Sequence, residues 1–445
     1  MTEPAQPDRK VLLAGAMTLH HAGRSEEAEA TYRAIINLAP DDAVALHNLG
    51  VLLAEIGRAG EAIGLFDQAI ACESGYVSAH ANKAQALNAQ GDVAAAIASY
   101  RETVALDPGH YDGHRALGFL WMATGQRERA LDHFARTLEL RRGEDRAGMA
   151  SASLIQTTRA KLRHDAAQLR HVAQGHWDAA RFEALARTYE SFAGELDPGA
   201  GNDDVIVLTD AQLGVLGDSY NTPYHLIDAP EILSGAVNPA LDFTGINQRF
   251  AEKSPGIAWF DDFLSPRALA MLQRFLLKST IWYDFSHIDG CLAAYLEDGL
   301  ACPLILQIAE ELRAAFPEIL GPHQLTQIWA FKAIDAQRGI DIHADDGAVS
   351  VNFWVTPDDA NSDPDHGGLV IHHKPPPPDW AISGYESDIQ AIRDYLGDDD
   401  DKTIIPYAEN RAVLFDSRLF HGSDSVNFAP KYENHRINIT MLFGS

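Results

Sequence analysis

Two of the His-x-Asp triplets in this 445-residue sequence, both beyond residue 255, give it its first candidate metal ligands: His287 with Asp289, and His343 with Asp345. Residues two positions apart on a β-strand point to the same side, so either triplet can offer an imidazole and a carboxylate to one metal ion. One such triplet is a weak signal by itself. The residues that follow each triplet must therefore decide between them.

The sequence after the second triplet supports it. The strand-like run SVNFWV follows closely, His421 ends another strand-like run 78 residues after His343, and Arg436 opens a third run, RINITML. Two imidazoles and one carboxylate on one face of Fe(II) leave three coordination positions free, enough for a chelating 2-oxo acid and O2. An arginine suits the far carboxylate of such an acid because its guanidinium binds carboxylates in bidentate fashion. The first triplet has no comparable histidine and arginine behind it, and we interpret it as coincidental.

The order His343-x-Asp345, His421, Arg436 resembles that of the Fe(II)/2-oxoglutarate-dependent oxygenases, nearest their prolyl-hydroxylase-like branch, over about residues 255–445. The resemblance implies a double-stranded β-helix (jelly-roll) domain with flanking helices. It also implies Fe(II) held by the two histidines and the aspartate, with 2-oxoglutarate and O2 as cosubstrates and Arg436 orienting the 2-oxoglutarate. Asn352, on SVNFWV, fits the other end of this cosubstrate by strand alternation. The long gap between His421 and Arg436 leaves Lys431 as an alternative cation.

Other residues and other metals stay open at this point. Ser350 and Trp354 share a predicted strand face with Asn352, and Trp329 and Lys332 on QIWAFK are further pocket candidates. Zinc in a hydrolase or manganese would use the same three ligands. A cupin isomerase or a metal-storing jelly roll would bring more histidines to the site, and several lie nearby in the sequence: His366, His372, His373 and His435.

The segments that carry these residues are short and strand-like. Beyond residue 255, runs rich in β-branched and aromatic residues alternate with Gly, Pro and Asp, which favours a barrel or jelly roll over a parallel α/β sheet. Ser265-Pro266 predicts a helix start after the strand-like run IAWF. Residues 375–402 are typical of a long surface insertion.

The first third of the chain has a different organisation, with a period of 34 residues. Four columns are in phase, namely Gly23/Gly57/Gly91/Gly125, Ala28/Ala62/Ala96/Ala130, Tyr32/Phe66/Tyr100/Phe134 and Ala16/Gly50/Ala84/Gly118. We expect the small residues where antiparallel helices cross closely, the aromatic residues between successive units, and Pro40 and Pro108 at helix ends. The pattern resembles the tetratricopeptide repeat, which implies a solenoid that holds peptides or partner proteins.

These patterns divide the chain into four parts. Residues 1–142 form four repeats, 143–200 form capping and connecting helices, 201–254 form a linker region, and 255–445 form the oxygenase-like domain. The helical pattern continues over 145–196 without the repeat columns, and we expect this stretch to present the polar outer face of a solenoid cap. The fold class is therefore α + β and multidomain.

Net charge restricts the partners. The chain carries 63 acidic and 35 basic residues, a net charge of −28, of which −5 falls in residues 1–142 and −23 in residues 143–445. Such a surface repels phosphate, which argues against nucleic acid and anionic membranes as partners. Three scattered cysteines favour neither a disulfide framework nor a cysteine–zinc site. With no apolar leader and no long apolar run, we expect a cytoplasmic protein.

The function expected from the sequence is hydroxylation of a side chain of a protein or peptide that the repeats recruit. One alternative is a small-molecule 2-oxoglutarate oxygenase whose repeats serve oligomerisation, for example as a homodimer, or docking. A second alternative is a repeat scaffold with an inactive jelly roll.

Overall fold

The computed structural model describes residues 9–143, 154–196, 201–252, 256–285, 290–334, 339–377, 380, 388–397 and 401–444. The chain divides into two compact units, Met1–Trp121 and Met122–Ser445. Six of the seven tryptophans lie in the second unit. Among the described residues, no helix combines the length and apolar content needed to cross a bilayer.

Helices dominate the first unit, and helices and strands alternate in the second. The helices are α1 Arg9–His21, α2 Ser25–Leu38, α3 Ala43–Glu55, α4 Ala59–Cys72, α5 Val77–Ala89, α6 Val93–Leu106, α7 Tyr111–Ala123, α8 Arg127–Arg142, α9 Arg159–Ala173, α10 Ala179–Glu195, α11 Asp210–Leu216, α12 Phe243–Glu252, α13 Pro266–Lys278, α14 Pro303–Ala315 and α15 Ile389–Leu396. The strands are β1 Gln156–Thr157, β2 Ile206–Val207, β3 Ile257–Phe260, β4 Cys291–Tyr295, β5 Gln324–Ala333, β6 Val349–Trp354, β7 Leu369–His372, β8 Lys402–Ile405, β9 Ala412–Asp416, β10 His421–Ser423 and β11 Ile437–Gly444.

The 34-residue period corresponds to successive helix pairs, α1 with α2 through α7 with α8. The alanine column and the aromatic column are buried in all four pairs. Pro40 and Pro108 lie just beyond the ends of α2 and α6, as predicted. Gly50 marks a close crossing of α3 and α4, because a Cβ there would lie 2.6 Å from the Phe66 ring.

The glycine column has a different role from the one expected. Gly23, Gly57, Gly91 and Gly125 all have positive φ, between 71° and 82°, at the turn between the two helices of a pair. A Cβ at any of them would meet no atom within 4 Å. Left-handed backbone conformation, and not close helix crossing, therefore explains these glycines.

Besides the short antiparallel pair of β1 and β2, the described part of the second unit contains two larger antiparallel sheets that pack on one another. A six-stranded sheet has the order β3-β9-β6-β11-β5-β4, and a three-stranded sheet has the order β10-β7-β8. One apolar cluster joins Trp354, Val413 and Phe415 of the larger sheet to Ile371 and Ile405 of the smaller. Every residue of β11, in the middle of the larger sheet, is buried.

Helix α9 does not present the polar outer face expected of a solenoid cap. Lys161, His164 and Gln168 on α9 are each at most 3% exposed. The Lys161 ammonium donates to the Trp282 carbonyl at 3.2 Å, and the Gln168 amide donates to the Ser279 carbonyl at 2.9 Å. The polar face of α9 is thus buried within the second unit, where Asp165 on the same helix, 2.7 Å from the Lys161 ammonium and 3.0 Å from His164 Nδ1, and backbone carbonyls distant in sequence satisfy its donors.

Burial of His164 makes the stability of the second unit sensitive to acid. Burial, with the positive charge of Lys332 as a further cause, lowers the pKa of His164 to about 4. An unfolded histidine titrates near 6.5, so the unfolded chain binds more protons below that pH and the folded state loses stability. Because of His164, we expect the free energy of unfolding to be about 2 kcal/mol lower at pH 5 than at pH 7. Urea midpoints followed by tryptophan fluorescence at both pH values measure the loss, which His164→Gln should reduce and His80→Gln, at a half-buried position in the first unit, should not.

The predicted insertion at 375–402 contains a helix that packs into the second unit. Ile392 and Leu396 of α15 are buried in one cluster with Ala344 and Phe420. Ala344 and Phe420 adjoin the predicted metal ligands in sequence. The segment is therefore more than a surface loop, since α15 supports the backbone that carries those ligands.

The last turn of α8 is anchored inside the second unit. Arg142 and Asp298 are at most 3% exposed and form a bidentate ion pair, and the Arg142 guanidinium lies 3.8 Å from the centroid of the Tyr283 ring. The Thr137 hydroxyl donates to the Glu297 carbonyl at 3.0 Å. By sequence α8 completes the fourth repeat, whereas by packing it belongs to the second unit.

Residues 201–252, placed in a linker region by sequence, also pack within the second unit. Leu216 and Tyr220 join the α9–α10 core. The Glu311 carboxylate accepts from the backbone N–H groups of Ala236 and Val237, both at 2.8 Å.

Candidate metal centre and its two cavities

His343, Asp345 and His421 come together at the edge where β10 begins. Two backbone hydrogen bonds of 2.8–2.9 Å join His343 and His421 as an antiparallel pair. The Nε2 atoms of His343 and His421 lie 3.7 and 3.6 Å from the Asp345 carboxylate oxygens. Ligands at ~2.1 Å from one ion can be no more than about 4.2 Å apart, so both separations allow a shared ion. Among the described residues, these three form the group able to hold a metal.

Both imidazoles are oriented for coordination through Nε2. His343 Nδ1 lies 2.8 Å from the Asp341 carbonyl and His421 Nδ1 lies 2.9 Å from the Leu419 carbonyl. A carbonyl only accepts, so each Nδ1 carries the hydrogen and each Nε2 presents its lone pair. Burial, together with nearby His343, lowers the pKa of His421 to about 4, which keeps this ring neutral at physiological pH. A neutral imidazole is the form that binds metal.

Two buried serines orient the carboxylate. The Ser350 hydroxyl donates to Asp345 Oδ2 at 2.7 Å, and Ser417 Oγ lies 3.0 Å from Ser350 Oγ. One hydroxyl hydrogen cannot serve both contacts, so Ser417 donates to Ser350 while Ser350 donates to Asp345. The chain of two hydroxyls fixes one carboxylate oxygen and leaves the other directed to His343.

We expect Ser350→Ala to weaken Fe(II) binding about 10–100-fold, because the ligand carboxylate loses its orienting hydrogen bond. Anaerobic titration calorimetry measures this change. Ser417→Ala, which removes only the outer hydroxyl, should have a smaller effect. An unchanged affinity in Ser350→Ala would show that the Asp345 carboxylate is held by other contacts.

An inner cavity connects the three ligands to Arg436. Asn352, Asn438 and Thr440 line the same cavity. Arg436 is 4% exposed, and it donates to the Gly367 and Gly368 carbonyls at 2.8 and 3.2 Å. Among the described residues, no carboxylate pairs with it, and burial lowers its pKa to about 10. A buried guanidinium without a counter-ion is costly, so this cavity is suited to an anion.

Two amide oxygens in the inner cavity also lack partners. Asn352 Oδ1 and Asn438 Oδ1 are buried and have no hydrogen-bond partner in the described part of the chain. Buried polar atoms in proteins are nearly always satisfied, so unpaired atoms in a cavity indicate a polar occupant.

An outer cavity of about 580 Å³ lies on the other side of the ligands. It shares Trp329, Phe331, Ile340, His343 and Asp345 with the inner cavity. His343 and Asp345 therefore lie between two adjoining cavities that differ in their other lining residues. A larger cavity, of about 930 Å³, is lined by Asp346 but by none of the three ligands.

The other sequence candidates fall in different places. Trp329 lines both cavities, whereas Lys332, three residues along β5, lies on the opposite face, fully buried, with its ammonium 3.5 Å from the centroid of the Tyr432 ring. The prediction that Lys332 lines the pocket is therefore wrong. Lys431, the alternative cation, is exposed and does not line the inner cavity.

The extra histidines do not join the candidate metal centre. His435 stacks with His164 at 6.3 Å, His373 contacts Asp401 and Thr403, and His366 pairs with Asp363. His372 lines a separate cavity beside Arg393. The coincidental triplet His287 and Asp289 lies outside the described residues.

Sequence reasoning missed Ser417 and the two α15 residues that support the ligands. Ile389, Ile392 and Leu396 follow the three- and four-residue spacing of an amphipathic helix, a signal within the predicted insertion. Ser417 offers no comparable pattern, because its role depends on a contact with Ser350, 67 residues away.

Comparison with known proteins identifies the class of the N-terminal part. Residues 13–77 and 87–154 each match a family model described as a tetratricopeptide repeat. The chain therefore carries tetratricopeptide repeats ahead of a β-rich C-terminal region. No curated protein matches the chain.

Three solved structures that resemble part of the chain cover 26–31% of it. MamA from Desulfovibrio magneticus RS-1 is 22% identical over 31% of this chain and 78% of that chain, with a TM-score of 0.29. A mutant O-GlcNAc transferase from Thermobaculum terrenum is 29% identical over 31% of this chain and 28% of that chain, with a TM-score of 0.28. The first tetratricopeptide domain of Spaghetti, bound to an HSP90 peptide, is 19% identical over 26% of this chain and 93% of that chain, with a TM-score of 0.26.

Proposed function

We propose that the protein is an Fe(II)- and 2-oxoglutarate-dependent dioxygenase that hydroxylates a side chain of a protein or peptide recruited by its repeats. In this proposal the two packed sheets are those of a double-stranded β-helix. The observation that carries the proposal is the buried Arg436, which has no carboxylate partner in the described residues and lines the same cavity as His343, Asp345 and His421.

The donor set suits a ferrous ion. Two Nε2 atoms and one carboxylate would hold Fe(II) and leave the coordination positions that a chelating 2-oxo acid and O2 require. When bound, the ion supplies the O2 activation that couples oxidation of a substrate C–H bond to oxidation of 2-oxoglutarate. The balance is substrate C–H plus 2-oxoglutarate plus O2, giving substrate C–OH plus succinate plus CO2.

The residues of this chain contribute binding and orientation. Arg436 would hold the far carboxylate of 2-oxoglutarate, and Asn352, Asn438 and Thr440 would provide polar contacts along it. The inner cavity is narrow, about 20 Å³, so its walls must move to admit a five-carbon dicarboxylate. No protein acid or base is required by this balance, and Trp329, Phe331 and Leu369 in the cavity lining would limit the access of water to the metal centre.

Arg436→Gln tests the proposal. We expect it to raise the concentration of 2-oxoglutarate needed for succinate formation while Fe(II) affinity is retained, because only the anion partner is removed. Arg436→Lys keeps the charge but loses the bidentate guanidinium, so the 2-oxoglutarate concentration that it needs should lie between those of the wild type and Arg436→Gln. Lys431→Gln is the matched control. A shift in Lys431→Gln with none in Arg436→Gln would overturn the assignment. Absence of any 2-oxoglutarate-dependent CO2 release with Fe(II) bound would overturn the dioxygenase itself.

Recruitment by the repeats has a separate kinetic signature. A substrate held by the repeats reaches the metal centre at a raised effective concentration. Its KM should therefore be lower than that of a short peptide cut from around its reacting residue, at similar kcat. Equal KM values would favour the small-molecule oxygenase, with the repeats serving assembly.

A further inference from the structure

The outer cavity has the chemistry of a binding site for a positively charged side chain. It opens beside His343 and Asp345 and measures about 580 Å³, enough for a long side chain with part of its backbone. Because it shares five residues with the inner cavity, a group inserted into it reaches the candidate metal centre.

Carboxylates outnumber cations in the described lining. Asp284, Glu297 and Asp341 line the cavity in addition to the candidate ligand Asp345, and Arg141 is the cation among them. Arg141 lies 3.8 Å from Asp298, which is itself buried. Asp341 is exposed and pairs with Arg393 at 3.1 Å, whereas Glu297 is buried, so the charge of Glu297 is the less screened by solvent. Such a lining favours a cation and disfavours an anion.

A tyrosine in the wall responds to this negative potential. Burial is the first cause that raises the pKa of Tyr295. The charge of Asp284, the hydrogen bond from the tyrosine to that carboxylate, and the charges of Glu297 and Asp298 raise it further. Asp284 and Glu297, which both line the cavity, therefore act on one point of its wall, on the side formed by β4.

Aromatic rings complete the wall. Trp329 and Phe331 occupy the same face of β5 by strand alternation, and Tyr295 of β4 is the cross-strand partner of Trp329. Aromatic faces attract ammonium and guanidinium groups, most strongly where water is excluded. Carboxylates and aromatic rings in one cavity recognise a cation on an apolar stem.

We infer that the substrate residue is a lysine or arginine of a peptide, with its charged end held by Asp284, Glu297 and the Tyr295–Trp329 pair. This inference rests on the proposed function for the fate of the side chain, since one of its C–H bonds becomes C–OH with the balance given above. The unpaired Asn352 and Asn438 oxygens, both 4% exposed, separately indicate that the connected cavity takes a polar occupant.

The test uses glycine-flanked pentapeptides with a central lysine, arginine, norleucine or glutamate. Binding to the full-length, metal-free protein is measured by tryptophan fluorescence, and succinate formation is measured separately with Fe(II) and 2-oxoglutarate. We expect the lysine or arginine peptide to bind at least about tenfold more tightly than norleucine, which corresponds to about 1.4 kcal/mol. Added salt should weaken the binding of the lysine and arginine peptides and leave that of the norleucine peptide unchanged.

Glu297→Gln should remove most of the preference for lysine or arginine over norleucine. Asp284→Asn is a second variant for the case that Glu297→Gln does not fold, since Glu297 is buried. Asp346→Asn, an exposed carboxylate outside both cavities, is the matched control. Equal binding of lysine and norleucine peptides, or unchanged preference in both cavity variants, overturns the inference. Charge-selective binding without succinate formation from any peptide would uphold the cation site and count against the dioxygenase.

Discussion

Asp345→Ala is expected to abolish tight Fe(II) binding by the full-length protein. Asp345 would supply the negative charge of the proposed ligand set, and its carboxylate oxygens lie 3.6 and 3.7 Å from the two Nε2 atoms. Alanine leaves two neutral imidazoles, which cannot neutralise a divalent ion. The loss should exceed the roughly 10–100-fold expected when only an orienting hydrogen bond is removed. Anaerobic titration calorimetry with Fe(II) measures it, together with loss of the visible charge-transfer band formed with 2-oxoglutarate.

The neighbouring Asp346→Ala is a stringent control. It removes the same charge one residue away, from an exposed position on a different cavity, and should leave the Fe(II) affinity unchanged. Wild-type affinity in Asp345→Ala would place the ion elsewhere. Equal losses in both variants would mean that general negative charge, and not coordination, attracts the metal.

Arg142→Met is expected to lower the free energy of unfolding of the second unit by about 3–5 kcal/mol. Arg142 and Asp298 are both almost fully buried, so removing the cation leaves a buried carboxylate whose remaining cation is Arg141 at 3.8 Å. The lost packing of the guanidinium on Tyr283 adds to the cost. Urea unfolding followed by tryptophan fluorescence reports mainly on this unit, because it holds six of the seven tryptophans.

The double variant Arg142→Met/Asp298→Leu separates charge burial from packing. It removes both charges, and we expect it to recover most of the lost stability. Arg141→Met, on the same turn but partly exposed, should cost less than about 1 kcal/mol. A small loss in Arg142→Met would show that water reaches Asp298 when the arginine is absent.

The sequence predicted those parts of the structure that depend on patterns of residues close together in the chain. The 34-residue period gave the helix pairs, and strand alternation placed Arg436, Asn438 and Thr440 along one cavity. The His-x-Asp spacing predicted two of the three clustered candidate ligands, and the position of His421 at a strand end predicted the third. Each signal depends on residues a few positions apart, where backbone geometry fixes the relation between side chains.

Contacts between distant residues left no such pattern. From the sequence, Lys161 looks like a solvent-exposed helix residue. In the structure it is buried, and its ammonium donates to the Trp282 carbonyl, 121 residues away. Lys332 has the strand position of a buried residue and the chemistry of a surface one. Arg142 and Asp298 are 156 residues apart, and neither belongs to a recognisable motif. Buried polar residues of this kind are determined by tertiary partners, which a single sequence does not display.

Helix α8 has a consequence for how this architecture can change during evolution. The repeat period assigns α8 to the array, but its Arg142 and Thr137 bind residues of the second unit. Duplication or loss of whole repeats ahead of Arg127 leaves these contacts intact. Exchange of residues 1–142 as a block would instead remove the partner of Asp298. A change in the length of the array would therefore leave these contacts in place, whereas the last helix must be inherited together with the second unit.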